Sequence, residues 1–186
     1  MTALPLCDAT HSQLVVIDIQ ERLVAAMPSK PRLQTLSNAE RLAQAAKTLH
    51  IPVTHTEQYP KGLGVTEKTV RTHLPDSAAI EKTCFSCFAA EGFITALATH
   101  QRQQIVLCGM ESHVCVLQTA IELQQAGYQV FVVEDAVCSR HKQNHQNALA
   151  RLRQAGIIVT NTESVIFEWL RDASHPDFKA LSRLLR

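Results

Sequence analysis

No apolar run in this sequence approaches the roughly 18 residues that a membrane span needs, so no association with a membrane is expected. The opening stretch, Met1-Thr2-Ala3-Leu4-Pro5-Leu6-Cys7-Asp8, lacks the basic start and long apolar core of a secretory signal, which makes the cytosol the expected location. Neither sign of charge prevails. Eighteen Lys and Arg stand against 17 Asp and Glu, for a formal net charge of +1, and no basic cluster stands out. A nucleic-acid partner or a charged membrane surface is therefore not expected. The Gly-x-Gly-x-x-Gly fingerprint and the phosphate-binding loop are both missing, which argues against a dinucleotide enzyme. Internal repeats, low-complexity segments and linkers are missing too. What remains is 46% hydrophobic and 19% charged, the balance of a globular chain. Its 186 residues suit a single domain, 1–186, with room for a substantial core.

The six cysteines, Cys7, Cys84, Cys87, Cys108, Cys115 and Cys138, are expected to be reduced thiols in a cytosolic chain. Cys84 and Cys87 form a C-x-x-C. A zinc site would need a second pair at ligand spacing, and the other cysteines are too dispersed to supply one. The pair also lacks the Gly-Pro-like turn and strand-to-helix placement of a thioredoxin motif. Neither metal nor redox use of it is expected.

Apolar runs alternate with amphipathic stretches along the chain. Residues 13–19 read as a strand buried on both faces, with Asp18 near its end. Residues 31–50 read as a long helix, with Leu33, Leu36, Ala39, Leu42, Ala43, Ala46 and Leu49 at helical spacing, stopped by Pro52. Strands follow at 53–57, at 78–82 (ending on Lys82), at 104–108, at 129–135 and at 157–160. Helices are expected over 91–100, 112–125 and 143–154, and a helical tail from Thr162 is interrupted near His175-Pro176. The turn-rich stretch 58–64 reads as a loop at the same end of the sheet as Asp18. Alternating strands and helices give the α/β class, with a mainly parallel sheet and right-handed crossovers.

In such sheets ligands bind beyond the carboxyl ends of the strands. Asp18, Lys82 and Cys115 lie at or just after three of those ends. Around the thiol the sequence runs Leu107-Cys108-Gly109-Met110-Glu111-Ser112-His113-Val114-Cys115. Gly109 would end the strand and Ser112 could cap a helix with Val114, Leu117, Ile121 and Leu123 on its apolar face. That places Cys115 in the first helical turn, where the dipole and unpaired N–H groups favour a thiolate and an oxyanion. Each residue also has a plainer reading: Cys115 as a core thiol, Asp18 as a cap, Lys82 as a solvated surface charge.

Those three residues in that order, with Gly-Met-Glu-Ser-His-Val-Cys-Val around the thiol, resemble the isochorismatase-like cysteine hydrolases. The stretches 56–64, 82–86 and 108–111 look most like the isochorismatase domain-containing branch, and the resemblance covers nearly the whole chain. It implies a three-layer α/β fold whose six-stranded parallel sheet, ordered 3-2-1-4-5-6, is flanked by helices. The first and fourth strands then meet at the topological switch point. The third lies two spacings from the first, roughly 9–10 Å, a gap that a lysine stem can cover.

The resemblance further implies roles. Asp18 is the general base, Cys115 the nucleophile that forms a thioester, and Lys82 the cation that holds both charges and favours the ionised thiol. A cis peptide between Met110 and Glu111 would aim the Glu111 and Cys115 N–H groups at the oxyanion. No cofactor is implied. Partners would be a small-molecule substrate, an amide or related acyl compound, and further copies of the chain in a dimer or larger assembly. Vinyl ether hydrolysis of the isochorismatase type, or a catalytically weak binding or assembly protein, are the alternatives. Glu57, Gln58 and Tyr59 could line the substrate pocket or shape their loop. His113 could face substrate or solvent. Asp135 is expected to fix the turn that follows it. His55-Thr56-Glu57 does not reproduce the Asp-x-His metal motif of nicotinamidases, so no metal is expected. Trp169 and Leu170 could form a subunit contact or pack on the sheet.

Overall fold

A computed structural model describes residues 6–186; residues 1–5, which carry part of the leader reading, lie outside it. In chain order the elements are β1 (Ser12–Ile17), α1 (Glu21–Ala25), α2 (Ser29–Thr48), β2 (Val53–Gln58), α3 (Pro60–Leu63), α4 (Lys68–Arg71) and β3 (Ile80–Lys82). They continue with α5 (Phe93–Thr99), β4 (Gln104–Met110), α6 (Leu117–Gln125), β5 (Gln129–Cys138), α7 (Lys142–Gln154), β6 (Ile158–Thr160), α8 (Thr162–Leu170) and α9 (Phe178–Arg183). A single 3₁₀ turn covers Cys87–Ala89, and a π-helical turn over Ser112–Val116 leads into α6.

The strands form one sheet in the order β3-β2-β1-β4-β5-β6, and every pair of neighbours is parallel. The period-2 geometry of a strand explains why β1 is apolar throughout. Leu14 and Val16 point to one face, against α2, α8 and α9. Val15 and Ile17 point to the other, against α5, α6 and α7. Helices cover both faces, which makes three layers. Trp169 and Leu170 belong to the first apolar layer at 2% exposure each, and the indole N–H donates to Ser12 Oγ at 3.1 Å. They pack on the sheet.

Three local expectations are corrected. Gly109 does not end β4, which runs on to Met110. At φ 132° Gly109 sits opposite Ile17, and a Cβ there would lie 2.0 Å from the Ile17 carbonyl oxygen. Glycine is required because β1 and β4 close up at the switch point. Ser112 is not the cap: Glu111 holds the extended conformation (φ −88°, ψ 146°) and Ser112 is the first helical residue. The wider π-turn rotates the face that follows, so Val116, Ala120 and Leu123 are buried while Val114 and Ile121 are only partly so. The inward face of α2 runs through Thr35, Asn38, Ala39, Leu42, Ala45 and Ala46, and Leu33 is 62% exposed.

Candidate active site

Three strand ends deliver Asp18, Lys82 and Cys115 to one buried spot. Asp18 follows β1 with φ 50°, a left-handed turn that aspartate tolerates better than most residues. Its N–H donates to the Thr56 carbonyl, so the turn is tied to the neighbouring strand. Lys82 closes β3, and its stem spans β2 to reach Asp18 Oδ2 at 2.6 Å. The side chains of this ion pair are both 0% exposed. The Lys82 ammonium also donates to Gln58 Oε1 (2.7 Å) and to the Phe85 and Cys84 carbonyls (3.2 and 3.3 Å), and it lies 3.7 Å from Cys115 Sγ. Cys115 sits in the π-turn at 5% exposure.

Burial would by itself lower the Lys82 pKa, but the charges of Asp18, Cys87 and Cys115 outweigh it and hold the ammonium above the usual lysine range. The thiol departs from expectation. Burial, and next the Asp18 charge, push the Cys115 thiol up; Lys82 opposes them and loses. A helical first turn and a nearby cation predict a standing thiolate, whereas this environment keeps the thiol protonated at rest. The arrangement would allow a proton to pass from thiol to carboxylate beside a fixed cation. That move relocates a charge without separating a new pair in a medium of low polarity.

The remaining sequence candidates divide. Gln58 anchors Lys82, and its orientation is set because Nε2 donates to the Thr83 carbonyl and its own N–H to Gln20 Oε1. The Glu57 carboxylate turns away to accept from the Thr66 N–H and hydroxyl, which holds the 60s loop. Tyr59 is 54% exposed and borders a hollow of about 480 Å³ that also touches Lys82 and Cys84. His113 is half-buried, with Nδ1 3.0 Å from Ser139 Oγ and Nε2 3.3 Å from Asn144 Nδ2. Asp135 does not fix the following turn. β5 runs through it, and its carboxylate accepts from the N–H and hydroxyl of Thr162, at the start of α8.

The Met110–Glu111 peptide is cis. Among the described residues, the Glu111 N–H has no hydrogen-bond partner in the chain. The Glu111 carboxylate is held by Arg140, whose backbone N–H donates at 2.9 Å and whose Nε donates at 3.1 Å. Sequence reasoning missed this arginine, together with Thr56 and Cys87. Thr56 donates its hydroxyl to Asp18 Oδ1 at 2.7 Å. Cys87, fully buried, has Sγ 3.7 Å from that hydroxyl oxygen, and burial next to Asp18 pushes its thiol up to about 11. Thr56 had a readable signal: as a strand neighbour of Asp18's segment, it was within reach once the sheet order was assumed. Arg140 and Cys87 carry no such signal, since both act across long loops.

Among the described residues, no three His, Cys, Asp or Glu side chains are grouped to hold a metal ion. A cavity of about 930 Å³ lies around the amino end of β2, touches His50, His55 and His100, and includes none of the three converging residues. The candidate site lies at the carboxyl ends instead, where open α/β sheets bind ligands.

Comparison with known proteins finds relatives over nearly the whole chain. The isochorismatase domain family model matches residues 12–164. A secreted isochorismatase effector, Isc1, from Phytophthora sojae is 39% identical over 180 residues, covering 94% of this chain and 84% of that protein. Isochorismatase domain-containing protein 2A of Mus musculus is 37% identical over 185 residues, covering 94% and 82%. Among solved structures, one described as MAR1 ribonuclease from Caenorhabditis elegans superposes with a TM-score of 0.91 at 36% identity, covering 97% of this chain and 92% of that one.

Proposed function

The chain belongs to the isochorismatase family of hydrolases, and on that premise we propose that it is a cofactor-independent cysteine hydrolase that cleaves a small amide or related acyl compound through a thioester on Cys115. One observation carries the reading: the Lys82 ammonium touches both the Asp18 carboxylate, at 2.6 Å, and the Cys115 sulfur, at 3.7 Å, inside a buried site.

Asp18 takes the thiol proton as Cys115 attacks the carbonyl carbon. The positive charge of Lys82 serves whichever partner is negative, so the transfer meets a smaller electrostatic penalty. The Glu111 N–H, free of partners in the chain, and the Cys115 N–H receive the developing oxyanion; one such donor is typically worth about 3 kcal/mol of barrier. The tetrahedral intermediate collapses to the thioester as Asp18 returns the proton to the leaving amine. Asp18 then activates water, which releases the acid and restores the thiol. Gln58 holds Lys82 in reach, and Thr56 fixes the Asp18 carboxylate.

The description of the nematode relative raises RNA as a substrate. This reading does not adopt it, because the three reactive groups are almost fully buried and basic residues exceed acidic ones by one.

The deciding experiment treats the wild type and Cys115→Ala with an electrophile panel, an amide library and single-stranded RNA, following adducts by mass. The expected result is alkylation of Cys115 ahead of the buried Cys7 and Cys138, turnover of an amide that the mutant loses, and a trapped acyl adduct on Cys115. If Cys115 alkylates no faster than Cys7 or Cys138, or if RNA is the only substrate turned over, the reading fails.

A further inference from the structure

A second cavity, of about 420 Å³, is lined by residues of α2, β5 and α7 and includes none of Asp18, Lys82 and Cys115. Its body is apolar, walled by Pro28, Pro31, Val137 and Leu149, with Thr35 and the Cys138 thiol at the floor. The volume falls in the range of small-molecule sites. β5 shapes it: the register against β4 slips between Leu107 and Gly109, so residues 133–136 bulge and open a space beneath the start of α2.

The charges at its mouth are of both signs. Two carboxylates border it: Glu134 is paired with Arg153 at 2.6 Å, and Asp135, which keeps its charge, accepts from Thr162. The Lys142 ammonium, by contrast, has no ion-pair partner among the described residues. The first turns of α2 and α7 both meet the cavity, and neither contains an acidic residue or a side-chain cap. Their dipoles add positive character to the same opening.

The cavity is also wired to the catalytic turn. Two residues of its wall, Ser139 and His145, hydrogen-bond to His113 (3.0 Å) and to Ser112 (2.9 Å), the residues that lead into Cys115. Arg140, next to Ser139, grips Glu111. Three consecutive side chains of the oxyanion turn are thus each fastened to the segment 139–145 that bounds the cavity.

We propose that this cavity is a second ligand site, for a small carboxylate with an apolar body, and that filling it changes the reactivity of Cys115 through Ser112 and His113. The binding half stands apart from the hydrolase reading; the coupling half rests on it.

The test uses benzoate as probe and benzyl alcohol as its uncharged counterpart, with binding followed by calorimetry. Benzoate is expected to bind saturably at one site in the wild type and in Cys115→Ala, and benzyl alcohol at least about tenfold more weakly. Lys142→Met, an exposed change that leaves the core alone, is expected to weaken benzoate about three- to tenfold. Leu149→Trp fills the cavity and should abolish binding, with its melting curve as the check on folding. Saturating benzoate is expected to change the iodoacetamide alkylation rate of Cys115 by about twofold or more in the wild type and not in Leu149→Trp. Absence of saturable binding overturns the site, as does equal affinity for the alcohol or binding that Cys115→Ala loses and Lys142→Met retains. Binding that leaves Cys115 alkylation unchanged overturns the coupling.

Discussion

At the scale of single residues, the site turns on which neighbour controls the Cys115 proton. Burial and Asp18 push the thiol up, and Lys82 pulls it down. The thiolate is the species that alkylates, so the sign of each substitution follows. Asp18→Asn removes the negative charge beside the sulfur and frees Lys82 for it. Alkylation of Cys115 at neutral pH should therefore rise, while turnover by the proposed mechanism should be lost. Lys82→Met acts the other way. It should slow alkylation by about tenfold or more, because one unit of pKa is a factor of ten in thiolate. It should also cost about 3–5 kcal/mol of stability, since Asp18 is left buried without its partner. Gln58→Met should slow alkylation less, because it removes only one of the acceptors that hold the ammonium in place. In the wild type the alkylation rate should still be climbing at pH 9, the ordinary thiol value, because the raised thiol is not yet ionised there. A plateau near neutral pH would mean a standing thiolate, and parallel slowing in Asp18→Asn and Lys82→Met would contradict the opposed roles.

At the scale of elements, the approach of β1 and β4 sets the reach between Asp18 and Cys115. Gly109 permits it, since any Cβ there would collide with the Ile17 carbonyl. Gly109→Ala should therefore cost about 1–3 kcal/mol in urea unfolding, the usual range for forced overpacking. It should also change the Cys115 alkylation rate, because the two strands can relieve the clash only by moving apart beneath the site. A variant as stable and as reactive as the wild type would show that the close approach is dispensable. Element types were legible because β1, β4 and β5 contain apolar runs and each long helix keeps its spacing. What escaped the sequence depended on partners. Pro60–Leu63 coils into a helical turn inside a stretch rich in turn formers, held by Gln20 and Arg22 donating to the Gly64 and Gly62 carbonyls. The π-turn at Ser112–Val116 follows a serine that looks like a cap but is used by His145. Local pattern cannot report such contacts, which come from residues 33 to 44 positions away.

At the scale of the whole molecule, the sheet order was legible because family resemblance and the alternation of strands and helices pointed to the same topology, and the order placed Asp18 next to Cys115. The rest of the site was not: Cys87 and Arg140 act through contacts that only the closed fold creates, and so does the grip of Gln58 on Lys82. The same closure buries thiols throughout the chain, and this has a measurable consequence. Cys87 is pushed up to about 11 and Cys108 to about 12, chiefly by burial, and Cys7, Cys115 and Cys138 are raised as well. In the unfolded chain these thiols ionise near 9. Between the two values the unfolded state releases protons that the folded state keeps, so stability is fully present below about pH 9 and is lost as pH rises towards 11 and 12. Each such thiol contributes up to about 1.4 kcal/mol per pH unit in that window. Trp169 reports the transition, because it is the one tryptophan of the chain and joins α8 to Ser12 of β1. Urea unfolding followed by its fluorescence should give a free energy that is level from pH 7 to 8 and falls steeply from pH 9 to 10.5. Cys108→Ala, which removes one buried thiol from the middle of the sheet, should be less stable at pH 7 and should lose stability less steeply above pH 9. An identical slope in the two proteins would mean that buried thiols do not set the alkaline limit of this fold.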